Sequence, residues 1–252
     1  MKKLLKDQVT IITGGGGGIG LATAKLFLEE GADVIIAEID GEKAIKVKKE
    51  IENNINKRIF VFEVDISDKN QVESMVASVI NEFGKIDILV NNAGIYIGDS
   101  VLTLSEDIWD KVINIDLKSV FLCSQAVSKE MVKRKKGKII NVSSCCAIDP
   151  GFGQVAYGAA KAGVLSLTRD FAYELGEKGI YVNAILPGMT LTDLTKKSLD
   201  TEEKRQECAN KNVLKRLGQP IDQAKVILFL ASHLSDHITG EYIISSSGAL
   251  MR

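Results

Sequence analysis

Short apolar runs alternate with amphipathic stretches along the whole chain. The apolar runs at 8–13, 33–38, 59–64, 86–91, 137–143, 179–185 and 241–245 predict strands. Helical periodicity predicts helices at 18–30, 41–54, 68–83, 106–135, 157–177 and 221–232, with a further helical stretch at 193–210. Near-continuous apolar strands such as IDILV and KIINV suit a parallel sheet covered on both faces. Strand–helix alternation with right-handed crossovers predicts an α/β, doubly wound fold. No linker, internal repeat or low-complexity block breaks the pattern, so one domain over 1–252 is expected. The prolines at 150, 187 and 220 all fall between elements. The long polar segment 188–210 would sit at the carboxyl edge of the sheet, where it is a candidate lid over a ligand.

The first strand runs into TGGGGGIG, residues 13–20, which opens the first helix. A glycine-rich turn in that place can hold a pyrophosphate at a helix N-terminus. Gly15, Gly17 and Gly20 spell GxGxxG; Gly14, Gly18 and Gly20 spell GxxxGxG; the run alone does not choose between them. Glu38 closes the second strand, near the spacing of the acid that accepts from adenosine ribose hydroxyls. A carboxylate there repels a 2′-phosphate; the plainer reading is an exposed strand-end charge. Asp65 ends the third strand and can accept from an adenine amino group, or cap the next helix, a role more natural for Ser67 or Asp68. The fourth strand ends in NNAG, 91–94, where asparagines can tie strand ends together and small residues admit a flat ring.

The fifth strand ends NVSSCC, and YGAAK opens a later helix. Tyr157 and Lys161 stand four apart and share a helix face. A phenol is a poor base at neutral pH, but a lysine cation and a nicotinamide cation favour phenolate. Tyr157 can then exchange a proton with a substrate oxygen, and Ser144 can hold that oxygen. An ordinary amphipathic helix start is the other reading of YxxxK.

Composition narrows the remaining classes. Net charge is −1 and 45% of residues are hydrophobic, as in ordinary globular proteins. Nothing favours nucleic acid or a membrane surface; KEMVKRKKGK, 129–138, reads as the solvated cationic end of a helix. No stretch approaches a membrane span, and the apolar N-terminal stretch is broken by Lys6, Asp7 and Gln8, against a signal peptide. Cys123, Cys145, Cys146 and Cys208 make no metal spacing, and His233 and His237 read as surface or packing residues. No metal is expected, and reduced thiols suit a cytoplasmic protein.

Together these motifs resemble the short-chain dehydrogenase/reductase family. The matches are TGGGGGIG, Glu38, Asp65, NNAG, Ser143–Ser144, YGAAK, NAILPG (183–188), Thr192 and ITG (238–240), in order over nearly the whole chain. The resemblance implies a Rossmann-like parallel sheet of about seven strands with helices on both faces, and NAD(P)-dependent interconversion of alcohols and carbonyls. It selects Gly14, Gly18 and Gly20 as the spaced glycines, with Gly15, Gly16 and Gly17 filling variable positions. It makes Tyr157 the general acid/base, Lys161 the nicotinamide-ribose ligand that lowers the tyrosine's pKa, and Ser144 the substrate-orienting residue. It assigns cofactor contacts to Ile19, Ile66, Asn92, Ala93, Gly94, Pro187, Gly188 and Thr192, with Ile185 nearby.

Two positions depart from that pattern. Where the family has an asparagine holding a water linked to the lysine, seven residues after Trp109, this chain has Asp116. Asn114 lies on another helix face and cannot substitute. Aspartate is nearly the same shape and can accept the same water, and its charge partly offsets Lys161, so an altered pH optimum is expected. Near the C-terminus, ISSSGAL replaces the family's strand then Asp-Gly-Gly.

NAD(H) is expected over NADP, because positions 15–17 are glycine, position 39 is Ile, Asp40 follows, and no cation is placed to meet a 2′-phosphate. Ile95, Tyr96, Cys145, Ala147, Phe152, Met189 and Leu191 are candidate substrate-lining residues, or plain core. Without a cationic cluster among them, a secondary alcohol or ketone is expected as substrate. The alternatives are a 3-oxoacyl-thioester reductase, disfavoured because that reaction normally uses NADPH, and a silent NAD-binding protein. The resemblance also implies a homotetramer built on the long helices at 106–135 and 157–177.

Overall fold

The computed structural model describes residues 3–55, 59–151 and 153–251. Seven strands form one parallel sheet: β1 (Val9–Thr13), β2 (Asp33–Glu38), β3 (Ile59–Glu63), β4 (Ile88–Asn91), β5 (Gly137–Val142), β6 (Ile180–Pro187) and β7 (Tyr242–Ser245). Their order is β3-β2-β1-β4-β5-β6-β7. The sheet is wound outward from β1 and β4 in both directions, so its topological switch point lies between them. A crevice opens there beyond the carboxyl ends of the strands.

The strands are apolar on both sides because both sides are covered. One core layer joins Ile11, Ile35, Leu89, Ile139 and Val182 to helices α3 (Lys69–Phe83), α5 (Ser119–Arg134) and α6 (Val155–Leu175). The other joins Ile12, Ile36, Val90, Ile140 and Ile185 to α1 (Gly18–Glu29), α2 (Gly41–Ile55) and α8 (Pro220–Ala231). The predicted strands and most helices fall where the periodicity puts them.

Two elements differ. The single helix expected over 106–135 is α4 (Glu106–Ile113), a π-helical turn at Asn114–Lys118, and α5. No proline or glycine marks that turn; local widening of this kind is frequent at functional sites. The stretch expected to be helical over 193–210 is turns up to Leu199, followed by α7 (Glu202–Lys211). This segment is polar in composition but holds a small core of its own, in which Leu191, Leu199, Cys208, Ala209 and Leu217 pack together. A parallel bridge between Thr190 and Gly218 closes its base.

The basic run 129–138 is more than a solvated helix end. Arg134 reaches the buried Asp87 at 3.0 Å, and Lys138 pairs with Asp236 at 2.7 Å. Burial opposes charge on Asp87, but Lys85, the Val9 N–H and Arg134 together hold its carboxyl below the usual range. Among the described residues no helix is long and apolar enough to cross a membrane, and no group of three His, Cys, Asp or Glu could hold a metal.

Candidate active site

The glycine run is the turn between β1 and α1, at the switch point. The first turn of α1 carries no acidic residue and its N-cap makes no side-chain bond, so the helix's partial positive charge faces the crevice. The Gly16 N–H donates to Glu38 Oε2 at 3.0 Å, and the Ile39 N–H donates to Oε1 at 3.1 Å. A Cβ on residue 16 would stand 2.5 Å from that carboxylate. Gly16 therefore does more than fill a variable position: its bare backbone lets Glu38 fold over the loop. Glu38 is buried rather than exposed, and two donors already fix it.

Gly20 is needed for a different reason. A Cβ there would collide with the Gly14 carbonyl oxygen and stand 2.5 Å from Asn92 Nδ2. Both neighbours are fixed, since Asn92 Nδ2 donates to the carbonyls of Thr13 and Gly14 at 3.0 and 3.1 Å. Gly20→Ala is expected to cost about 1–3 kcal/mol in stability, as overpacking does, and to weaken dinucleotide binding. Urea unfolding and NADH fluorescence titration measure the two effects; wild-type values in both would refute the assignment.

The β4 end is tied down as the asparagines suggest. Asn91 Nδ2 donates to Ser124 Oγ and Asn141 Oδ1 at 2.9 and 2.8 Å, and Asn141 Nδ2 donates to Thr168 Oγ1 at 2.9 Å. Asp65 Oδ1 accepts from the N–H and hydroxyl of Ser67 at 2.9 and 2.7 Å. The helix cap is Asp68, which accepts from Asn70 N–H at 2.7 Å. Asp65 is thus free of capping and lies on the crevice wall.

At the other end of the crevice Ser144, Tyr157 and Lys161 converge. Lys161 Nζ lies 5.5 Å from the centre of the Tyr157 ring, on the helix face they share. Tyr96 packs edge-to-face on Tyr157, with centroids 5.4 Å apart. Ser144 Oγ accepts from the Cys146 N–H at 3.1 Å. Beneath Lys161 sits Asp116, carried by the π-helical turn; the two residues are 3% and 0% exposed. Asp116 Oδ2 is 3.2 Å from Lys161 Nζ, and Oδ1 accepts from the Ile95 N–H at 2.8 Å. Lys161 Nζ also donates to the Val142 carbonyl at 3.3 Å. Asp116 therefore contacts Lys161 directly, where the resemblance implies an asparagine acting through a water.

The electrostatics around Tyr157 combine opposing effects. Lys161 does pull the Tyr157 phenol down, as does a Ser144 hydrogen bond. Burial outweighs them, and the charges of Asp116 and Cys146 add to it, so the phenol stands above its ordinary value. Burial also opposes charge on Lys161, but Asp116 and Tyr157 win and its ammonium is held more tightly than usual.

One cavity of about 710 Å³ joins the two ends. Its wall includes Gly14, Gly18, Ile19, Glu38, Asp65 and Ile66 at one end. Asn92, Ala93, Gly94, Pro187, Gly188 and Thr192 line the middle, and Ser144, Tyr157 and Lys161 the far end. Gly20 and Asp116 stand behind the wall, and Ile185 is fully buried in the sheet's core. Of the substrate-side candidates, Ile95, Tyr96, Cys145 and Met189 line the cavity. Ala147 packs under β6 with Leu165 and Leu186, Leu191 belongs to the core of the 188–210 segment, and Phe152 lies outside the described residues.

Several wall residues carry no sequence signal of their own. Thr195 and Ser198 come from the 188–210 segment; Ala249 and Leu250 come from near the C-terminus. Gln154 brings an amide whose Oε1 has no partner among the described residues. Lys43 is the consequential one, a cation on the cavity wall that neither the glycine loop nor position 39 supplies. Position 43 is remote from the loop in sequence, but α2 folds back against β3 and brings its first turn to Gly17.

The model of the short chain dehydrogenase family matches residues 8–203. The chain belongs to that family, whose members are oxidoreductases that bind nicotinamide cofactors. It is 40% identical over 247 residues to the 3-oxoacyl-[acyl-carrier-protein] reductase FabG of Thermotoga maritima, covering 98% of this chain and 99% of the other. It is also 40% identical over 244 residues to the (2S)-[(R)-hydroxy(phenyl)methyl]succinyl-CoA dehydrogenase subunit BbsD of Thauera aromatica, covering 97% of each. Among solved structures it superposes on that of gox2181 with a TM-score of 0.94 at 32% identity, covering 98% of this chain and 97% of that one. The residues fit a nicotinamide dinucleotide: a side-chain-free cradle at an uncapped helix N-terminus, a fixed carboxylate for ribose hydroxyls, and a buried ammonium beside the phenol.

Proposed function

We propose that this chain reduces the 3-oxo group of an acyl thioester to the secondary alcohol, with NAD(H) as the preferred cofactor and 1–252 as one catalytic domain. The observation that carries the reading is the one cavity that has Glu38 at one end and Tyr157 beside Ser144 at the other. The two relatives quoted, aligned nearly end to end, are both named for acyl-carrier or CoA substrates, which favours a thioester over the simple alcohol or ketone first expected. The apolar wall of Ile95, Tyr96, Cys145, Met189 and Leu194 suits an acyl chain.

Gly14, Gly18 and the α1 N-terminus would hold the pyrophosphate, Glu38 the adenosine ribose and Lys161 the nicotinamide ribose. When bound, the reduced nicotinamide supplies a hydride. Ser144 donates to the substrate's 3-oxo oxygen and orients it. Tyr157 gives its phenolic proton to that oxygen as charge develops there. Lys161 balances the phenolate left behind, and Asp116 fixes Lys161. In the reverse direction the same groups take the proton back. Phe121 and Tyr173, exposed on α5 and α6, are apolar surface that the homotetramer would cover.

The test is kcat/KM for acetoacetyl-CoA reduction with NADH and NADPH, beside a panel of simple ketones. The expected order is thioester over ketone and NADH over NADPH. A higher kcat/KM with NADPH would sink the cofactor preference, and ketones outrunning the thioester would sink the substrate class.

A further inference from the structure

The loop at 15–17 and position 39 offer no partner for a 2′-phosphate, yet the fold delivers a cation from elsewhere. Lys43 Nζ stands 3.1 Å from where a Cβ on Gly17 would be. A Cβ on Gly16 would meet Glu38, whereas one on Gly17 would meet Lys43 and Asp193. The Lys43 ammonium lines the cavity, and among the described residues no carboxylate lies within ion-pair distance of it. By contrast Lys25, on α1, is spent on Glu50 at 2.6 Å. Glu38 also repels less than a bare carboxylate would, since two N–H groups already donate to it.

We propose that Lys43 is a cofactor-specificity residue: its ammonium takes the 2′-phosphate of NADP(H), so a cleft that prefers NAD(H) through Glu38 still accepts the phosphorylated cofactor. This rests on the reading of the cleft as a nicotinamide dinucleotide site. Gly17 makes room for it, because any side chain there would stand against the ammonium. Asp193, whose Oδ2 is 3.6 Å from the same point, opposes a phosphate and holds the affinity for NADP(H) below that for NAD(H).

Equilibrium binding tests this without turnover. Dissociation constants of NAD⁺, NADP⁺ and adenosine 2′,5′-bisphosphate are measured by calorimetry for wild type, Lys43→Gln and Asp193→Asn. Wild type is expected to bind both dinucleotides, NAD⁺ more tightly. Lys43→Gln is expected to weaken NADP⁺ and the bisphosphate by about 10- to 100-fold, the size of one lost charge-assisted hydrogen bond, and NAD⁺ at least tenfold less than that. Asp193→Asn is expected to tighten NADP⁺ alone. Equal weakening of both dinucleotides would mean that Lys43 meets the shared pyrophosphate and would overturn the proposal. So would wild type that binds NAD⁺ but not NADP⁺, although the dinucleotide reading would then stand. Wild type that binds neither would defeat that reading and this proposal with it.

Discussion

Tyr157→Phe is expected to lower kcat for thioester reduction by about 10²–10⁴-fold, the usual contribution of a positioned proton donor, while NADH still binds. The phenylalanine ring keeps the edge-to-face contact with Tyr96 and loses only the hydroxyl. Tyr157 is 9% exposed, so water has little access to replace the lost proton donor. The raised phenol sets the pH behaviour. Reduction needs the protonated form, which is fully present below the raised pKa and disappears as pH rises through it. The wild-type reduction rate should therefore hold through neutrality and fall only in alkali. Alcohol oxidation, which needs phenolate, should climb over that same range. NADH titration by fluorescence and pH-resolved kcat measure these effects. Retained turnover in Tyr157→Phe would remove Tyr157 from its role.

Asp116→Ala is expected to cost about 3–5 kcal/mol in stability, because it leaves a buried ammonium without its counter-charge. Lys161 keeps only the Val142 carbonyl, and the Ile95 N–H loses its acceptor. Asp116→Asn keeps the acceptor for Ile95 and should cost less. Asn also removes a charge that raises the Tyr157 phenol, so the alkaline loss of reduction should move to lower pH. Denaturant midpoints and the kcat–pH profile separate the two effects. If the Asn variant has an unshifted profile, Asp116 acts on Lys161's position alone; if the Ala variant is as stable as wild type, the ion pair contributes nothing to the fold.

The sheet was legible because a strand buried on both faces has to be apolar throughout, and helices have to alternate with such strands. The groups that define the site were legible because each ends a strand or opens a helix: Glu38, Asp65, Asn92, Ser144 and Tyr157 stand at such points. Lys43 was not, since its place depends on how α2 folds back, which no local spacing encodes. Nor was the pull on Tyr157: the sequence names the cation beside the phenol but not the burial that outweighs it. The surplus glycine at 16 looked like filler because its reason, the Glu38 carboxylate lying across it, comes from the next strand.

The π-helical turn at Asn114–Lys118 acts as a phase shifter. Before it, Ile108, Trp109 and Val112 face the opening turns of α6; after it, Cys123, Val127 and Met131 face the sheet. An α-helix turns about 100° per residue, and the wider turn absorbs one surplus residue, so both sets keep to their partners. Deleting a single residue from 114–118 would let the helix relax to regular winding and carry the Asp116 carboxylate away from Lys161. A single-residue deletion at 114–118 should therefore leave the chain folded but lower turnover, and a deletion library scored for both folding and activity would show that split across these five positions.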